Sequence, residues 1–210
     1  MGQKVLLLSN AINPLIPEIH DFEWTKKLSP ANKYYLLVDD SHAFGILGKG
    51  LFGTYAQWKN LPVELMVCGS LGKALALPAG IILGSQPLID KVRENAVYRT
   101  SSPPAPAFLN AFLEGQDIYQ SQQQKLNKNL HYMFSAVSQL EEFKMLPQYP
   151  VISFAPEHWV DKLHEKGFAL SSFPYPFPAS PPVNRIILSA WHLPTDLEAL
   201  VGAIGEIINC

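Results

Sequence analysis

The sequence predicts an α/β fold, and three observations carry that prediction. The N-terminal half holds short, unbroken apolar runs of strand length, each closed by polar, serine or glycine residues. A long stretch of helical patterning follows. The C-terminal part then alternates strand-like and helix-like segments. Unbroken apolar strands belong to sheets covered on both faces, which is the arrangement of α/β proteins.

Residues 5–8 form the first run, and Asn13-Pro14 and Pro17 turn it into a loop. Residues 34–38 form the second, closed by Asp39-Asp40-Ser41-His42. Residues 65–68 and 80–83 are two further strand candidates. The pattern is helical over 87–93, broken by the proline-rich segment 100–106, and helical again over 107–140 with a polar face of glutamine, lysine and asparagine. Beyond that come strand 151–154, helix 157–166, strands 168–171 and 185–189, and helix 195–208. Thr195 and Glu198 have capping-box spacing, and Leu197, Leu200, Val201, Ile204 and Ile208 recur at helical intervals. Residues 174–182, with Pro174, Pro176, Pro178, Pro181 and Pro182, predict a rigid loop. The expected organisation is part of a larger α/β sheet over 1–105, then connecting helices and a small α/β domain over 106–210.

The 210 residues are 48% hydrophobic and 16% charged, enough to bury a core. A net charge of −2 gives no electrostatic reason to expect nucleic acid or an anionic membrane as partner. No apolar stretch approaches the roughly 20 residues that span a bilayer, and no signal-peptide pattern opens the chain. Cys68, in an apolar run, and Cys210, at the terminus, fit a reducing compartment. A soluble cytoplasmic protein is expected.

Polar residues at the ends of buried strands are where α/β folds place their sites. The segment Val67-Cys68-Gly69-Ser70-Leu71-Gly72-Lys73-Ala74 sets a lysine just past such a strand. A phosphate-binding P-loop would need glycine at Val67 and Ser or Thr at Ala74, so that reading fails on spacing. A solvated turn lysine is the plain alternative. The chemical one is a Schiff-base lysine, which needs an apolar, partly dry setting to keep its amine neutral. Ser70 would offer a hydroxyl to a phosphate, and the glycines let backbone N–H groups approach it. At the earlier strand end, Asp39 is placed to keep a pyridine-type ring nitrogen protonated, with His42 three residues on. The alternatives are a turn-forming role for Asp39 and Asp40, a core role for His42, and a metal held by Asp39, Asp40 and His42, for which no second ligand cluster exists elsewhere.

With these motifs in view, the sequence resembles the α-oxoamine synthases, fold-type-I pyridoxal-phosphate enzymes that include 8-amino-7-oxononanoate synthase, 2-amino-3-ketobutyrate CoA ligase, 5-aminolevulinate synthase and serine palmitoyltransferase. Four segments carry the likeness in family order: residues 39–45, residues 70–74, Thr100-Ser101-Ser102-Pro103-Pro104-Ala105, and the run from Arg185 to His192. The resemblance implies the C-terminal part of an aspartate aminotransferase-like large domain plus a small C-terminal α/β domain. It makes Lys73 the cofactor lysine, Asp39 the partner of the pyridine nitrogen and His42 that of the ring hydroxyl. Ser70 falls on the phosphate, Thr100 and Ser101 on the phosphate of a neighbouring subunit, and Arg185 on the substrate carboxylate. The plain alternative for Arg185 is a surface arginine at a strand start. Tyr98, Trp191 and His192 are read as structural.

The resemblance further implies pyridoxal 5'-phosphate as cofactor, an amino acid and an acyl-CoA as substrates, and a homodimer. Another fold-type-I reaction, amino transfer or aldol cleavage, is the enzyme alternative; a non-catalytic subunit is the other. Two departures stand out. Ala76, Pro78 and Ala79 lie in a run that is glycine-rich in the family, and Leu51-Phe52-Gly53 replaces Gly-Arg-Gly. The likeness covers only the family's C-terminal half. A fragment or a split gene is therefore expected, inactive without the phosphate loop and ring-stacking residue of the other half.

Overall fold

The computed structural model describes residues 2–209, so Cys210 lies outside the described residues. Two units make up the chain, one of Met1–Asn13 with Ile19–Gln120, the other of Pro14–Glu18 with Ser121–Cys210.

The first unit is built on a four-stranded sheet of β1 (Lys4–Asn10), β2 (Lys33–Asp39), β3 (Glu64–Ser70) and β4 (Gly80–Gly84), in that order. The first three strands are parallel and β4 returns antiparallel to β3. All four coincide with the apolar runs. The register sets Leu7, Leu36 and Leu65 in one row and Ser9, Val38 and Val67 in the next. On that face Leu36, Val38, Leu65 and Val67 are buried. A 3-10 turn (Glu23–Lys27) and a single helical turn, α1 (Tyr55–Trp58), lie in the connections. Trp58 is buried with its ring edge-on to Phe22 at 5.5 Å. Neither short turn was foreseen, because each is too brief to show helical periodicity.

The opposite face departs from the expectation of a doubly covered sheet. It carries Leu8, Leu37 and Met66 in one row and Asp39, Cys68 and Ile82 in the next. Leu6 and Leu8 are 62% and 70% exposed. The helices that follow, α2 (Gln86–Glu94), α3 (Ala96–Thr100) and α4 (Pro106–Glu114), bury no residue. Then α5 (Gln116–Val137) carries the chain from one unit to the other and buries Leu126, Asn129, Leu130, Met133 and Val137.

The second unit holds an antiparallel sheet in the order β5-β6-β8-β7, from β5 (Phe143–Met145), β6 (Val151–Phe154), β7 (Ser171–Pro174) and β8 (Pro182–Ile187). Helices α6 (His158–Glu165) and α7 (Pro194–Ile208) complete it. Phe143, Phe154 and Trp159 form a ring cluster with centroids 5.4–6.3 Å apart. The prediction of a strand over 168–171 is corrected to β7, and the proline loop is bracketed by the pair Pro174 and Pro182. Prolines suit those ladder ends, where no N–H is required. The capping assignment is corrected as well. Pro194 starts α7, and the Asp196 carboxylate accepts from the Leu193 N–H at 2.8 Å. Proline's fixed φ favours the first helical position and sets the start ahead of Thr195. No described helix is long and apolar enough to cross a membrane.

Candidate functional site

Strands β2 and β3 are adjacent and parallel, so their C-terminal ends bring Asp39 and Ser70 to one edge of the first unit. The ladder continues one step past β2, with Asp40 N–H donating to the Cys68 carbonyl at 2.8 Å. Ser70 N–H donates to Ser41 Oγ at 2.8 Å. A Cβ on Gly69 would stand 2.7 Å from Ser41 N and 2.9 Å from the Phe44 ring, so only glycine permits this approach. The two motifs are thereby fastened to each other.

Asp39 is exposed, and its Oδ1 accepts from Ser41 N–H at 2.8 Å. That is the turn-forming contact the sequence allowed, and it engages one carboxylate oxygen. Asp40 is fully buried. Its Oδ2 accepts from Thr54 N–H at 2.6 Å and its Oδ1 from the Thr54 hydroxyl at 2.8 Å. Burial pushes its carboxyl pKa up, the two Thr54 bonds pull it down, and the Asp39 charge adds to the rise. Asp40 thus turns away from Asp39, and among the described residues no group of three His, Cys, Asp or Glu side chains could hold a metal ion. His42 is half-buried in a tight turn closed by Ala43 and Phe44 N–H donating to the Asp40 carbonyl at 2.7 and 3.0 Å.

Lys73 rides on the loop between β3 and β4. Leu71, Leu75 and Leu77 of that loop are buried. Leu71 N–H donates to Ala79 O at 2.9 Å, Leu77 N–H to Leu71 O at 3.0 Å, and the Tyr119 hydroxyl to Leu75 O at 2.8 Å. A Cβ on Gly45 would meet Leu75 Cδ2 at 3.0 Å, so the lysine loop and the histidine turn lie against each other. Lys73 itself is exposed. The dry setting expected for it is not formed by these residues, because the leucines of its loop face inward and the far side of the sheet is open.

Ser70 is exposed, and its Oγ accepts from Gly72 N–H at 3.1 Å, which leaves the hydroxyl proton for another partner. Thr100 and Ser101 are exposed at the end of α3. Their hydroxyls donate to Ala96 O at 2.9 Å and to Val97 O at 2.6 Å. A phosphate would require those protons to be redirected. Ser101 also lines a shallow groove with Met66, Ile82 and Tyr98.

Arg185 belongs to the second unit. It lies mid-strand in β8, half-buried, unlike a surface arginine at a strand start. Its Nη1 donates to Pro14 O at 2.6 Å, and its guanidinium stands 4.9 Å from the Phe173 ring centre. Its buried Nε has no hydrogen-bond partner among the described residues. Burial pushes its pKa down, against the attraction of Tyr149. His192 shapes the turn before α7 by accepting from Ser189 N–H at 3.2 Å. Tyr98 is exposed, and Trp191 is 85% exposed, so neither supports a core. The structure therefore gathers Asp39, His42, Ser70 and Lys73 at one sheet edge. The sequence offers Asp40 only as a turn former or a metal ligand, not as the partner of Thr54, and it gives no signal for Thr54 or Tyr119.

The model of the family "Aminotransferase class I and II" matches residues 2–204. A putative 8-amino-7-oxononanoate synthase of Nostoc punctiforme is 33% identical over 186 residues, covering 82% of this chain and 46% of that protein. The 8-amino-7-oxononanoate synthase of Petrotoga mobilis is 32% identical over 217 residues, covering 98% and 55%. Among solved structures, serine palmitoyltransferase from S. paucimobilis matches with a TM-score of 0.77 at 15% identity, covering 98% of this chain and 56% of that one. The 8-amino-7-oxononanoate synthase of Francisella tularensis matches with a TM-score of 0.67 at 20% identity, covering 97% and 63%. The chain thus spans about half the length of the curated relatives it matches. It belongs to the aminotransferase class I and II family.

Proposed function

We propose that this chain carries the lysine-bearing part of a pyridoxal 5'-phosphate site, and that the whole protein joins an amino acid to an acyl-CoA. One observation carries the reading. The turn bearing an acid and an imidazole is fastened to the strand end bearing a hydroxyl by the contact of Gly69 with Ser41, and to the loop bearing a primary amine by the contact of Gly45 with Leu75.

The donor set fits the cofactor: a carboxylate for a ring N–H, an imidazole for a ring oxygen, an amine for an aldehyde and a hydroxyl for a phosphate. When bound, pyridoxal phosphate supplies an electron sink for a carbanion at the amino acid's α-carbon. Asp39, as a carboxylate, holds the proton on the ring nitrogen. Lys73 binds the cofactor and then moves the α-proton as a general base. Arg185, with a planar fork suited to carboxylates, orients the amino acid. Acyl-CoA as second substrate follows the motif resemblance and the synthase relatives. A homodimer in the cytoplasm, with Thr100 and Ser101 reaching the neighbouring subunit's phosphate, belongs to the same reading. Amino transfer is the second reading, favoured by the name of the matching family.

Alone, these 210 residues are expected to bind the cofactor weakly and to show no turnover. Their sheet is open on the face that carries Asp39, and relatives of about twice the length supply further structure. Each missing hydrogen bond to a charged group is worth roughly 1.5–3 kcal/mol.

The test is borohydride reduction of the protein with pyridoxal phosphate, followed by peptide mapping. The label belongs on Lys73, and Lys73→Ala abolishes it. Labelling of another lysine, undiminished in Lys73→Ala, ends the assignment. In the whole protein, CoA release on mixing an amino acid with acyl-CoAs supports the condensation; amino-group exchange with a keto acid and no CoA release supports amino transfer.

A further inference from the structure

We propose that Asp40 is a positioning residue: through Thr54 and its own main chain it holds the turn 40–44 so that Asp39 and His42 are presented together at the edge carrying Lys73. This deepens the cofactor reading and rests on it.

Neighbouring residues leave a strand on opposite faces. Asp39 lies on the exposed face, so its successor enters the core. An ionised carboxylate there is unfavourable unless donors reach it. Two donors do, both from the buried Thr54, at 2.6 and 2.8 Å. The chain before Thr54 is shaped for that contact. Gly53 has φ +66°, and a Cβ on it would stand 2.3 Å from Asp40 Oδ2. Glycine alone allows the Thr54 amide to come so close.

The main chain of Asp40 is equally engaged. Its N–H bonds to Cys68 O on β3, and its carbonyl takes the N–H groups of Ala43 and Phe44. His42 sits inside the turn that these bonds close. Asp40 is therefore joined to the strand ending in Ser70, to the turn bearing His42 and to the segment at Thr54. An apolar residue would fill the same space without any buried charge. What it would not do is tie these three segments in one geometry.

The test uses the 210-residue chain with Asp40→Ala, Asp40→Asn and Thr54→Val. Asparagine can accept from Thr54 N–H through its oxygen and donate to the Thr54 hydroxyl through its amide, so it should rescue the arrangement. One readout is the NMR resonances of the His42 ring without cofactor. The other is the affinity for pyridoxal phosphate by absorbance. Asp40→Ala is expected to shift the His42 resonances and weaken the cofactor about tenfold or more, as befits a lost buried charged contact. Asp40→Asn should keep the resonances, and Thr54→Val should fall between. The proposal is overturned by a folded Asp40→Ala with unchanged resonances, or by Asp40→Asn as disturbed as Asp40→Ala. If Asp40→Ala does not fold, Thr54→Val against Asp40→Asn decides, and unchanged His42 resonances in Thr54→Val overturn it. If borohydride reduction of the unsubstituted chain with excess pyridoxal phosphate does not label Lys73, the cofactor reading fails, while the His42 resonances still judge the positioning role.

Discussion

Replacing Ala76 with glycine should stabilise the loop that carries Lys73. Ala76 has φ +50°, alone among the described non-glycine residues in being positive. A Cβ in the left-handed region costs roughly 1–2 kcal/mol through its contact with the following carbonyl. Glycine removes that cost but gives the unfolded chain extra freedom worth about 0.5–1 kcal/mol. Ala76 is exposed, so its methyl group contributes no buried packing. The balance predicts that Ala76→Gly gains about 0.5–1 kcal/mol, a rise in melting temperature of about 2–4 °C per kcal/mol for a chain of this size. Ala79→Gly is the internal control. It lies in the same loop with φ outside the left-handed region, and should lose about 0.5–1 kcal/mol. Urea denaturation with an unchanged slope measures both. A loss in Ala76→Gly equal to that in Ala79→Gly would refute the reasoning. The strain matters for function because Ala76 N–H closes on the Lys73 carbonyl at 3.0 Å. The turn that stores the strain is the one that presents the amine.

Three further outcomes concern other parts of the chain. Burial raises the Asp40 pKa above its ordinary 3.8, so the folded chain binds that proton more tightly than the unfolded one. The proton-linked part of its contribution is full below the unfolded value and is lost as pH rises through the folded one; Asp40→Asn should flatten the stability profile over that window, and identical profiles would remove Asp40 from the explanation. The buried Asn129 amide donates to Ser189 O at 2.9 Å and His192 O at 3.1 Å, so Asn129→Ala should cost about 2 kcal/mol in urea, while the exposed Asn127→Ala should stay within about 0.5 kcal/mol. Leu6→Lys with Leu8→Lys should reduce self-association in sedimentation, since both leucines stand exposed on β1; unchanged association would place the sticky surface elsewhere.

What the sequence reveals depends on which signal each element needs. The strands of the first unit are legible because each is a continuous apolar run with a polar stop. β5 is three residues long and β7 reads Ser-Ser-Phe-Pro, so neither offers a period or a run. The two are formed by pairing with β6 and β8, which is tertiary information. The start of α7 was misplaced because Thr195 and Glu198 mimic a cap, whereas Pro194 and Asp196 provide the real one. At the candidate site, motif spacing picks out Asp39, His42, Ser70 and Lys73. It is blind to Thr54, because the Thr54–Asp40 pairing spans fourteen residues of loop. It is equally blind to Tyr119, whose bond to Leu75 spans more.

The open face of the first sheet is the point where pattern and structure disagree most, and the disagreement has physical content. A strand meant to have one wet face alternates apolar and polar residues. β1 does not: its core reads Val5-Leu6-Leu7-Leu8, yet Leu6 and Leu8 stand in solvent while Val5 and Leu7 are half-buried. Fully burying a leucine is worth roughly 1.5–3 kcal/mol, so the pattern is satisfied only when something covers the second face. That same face carries Asp39, whose hold on a ring proton would be stronger in dry surroundings than beside water. A cover over Leu6 and Leu8 would therefore do two things at once: satisfy the apolar pattern, and lower the dielectric around the carboxylate on which the proposed chemistry depends.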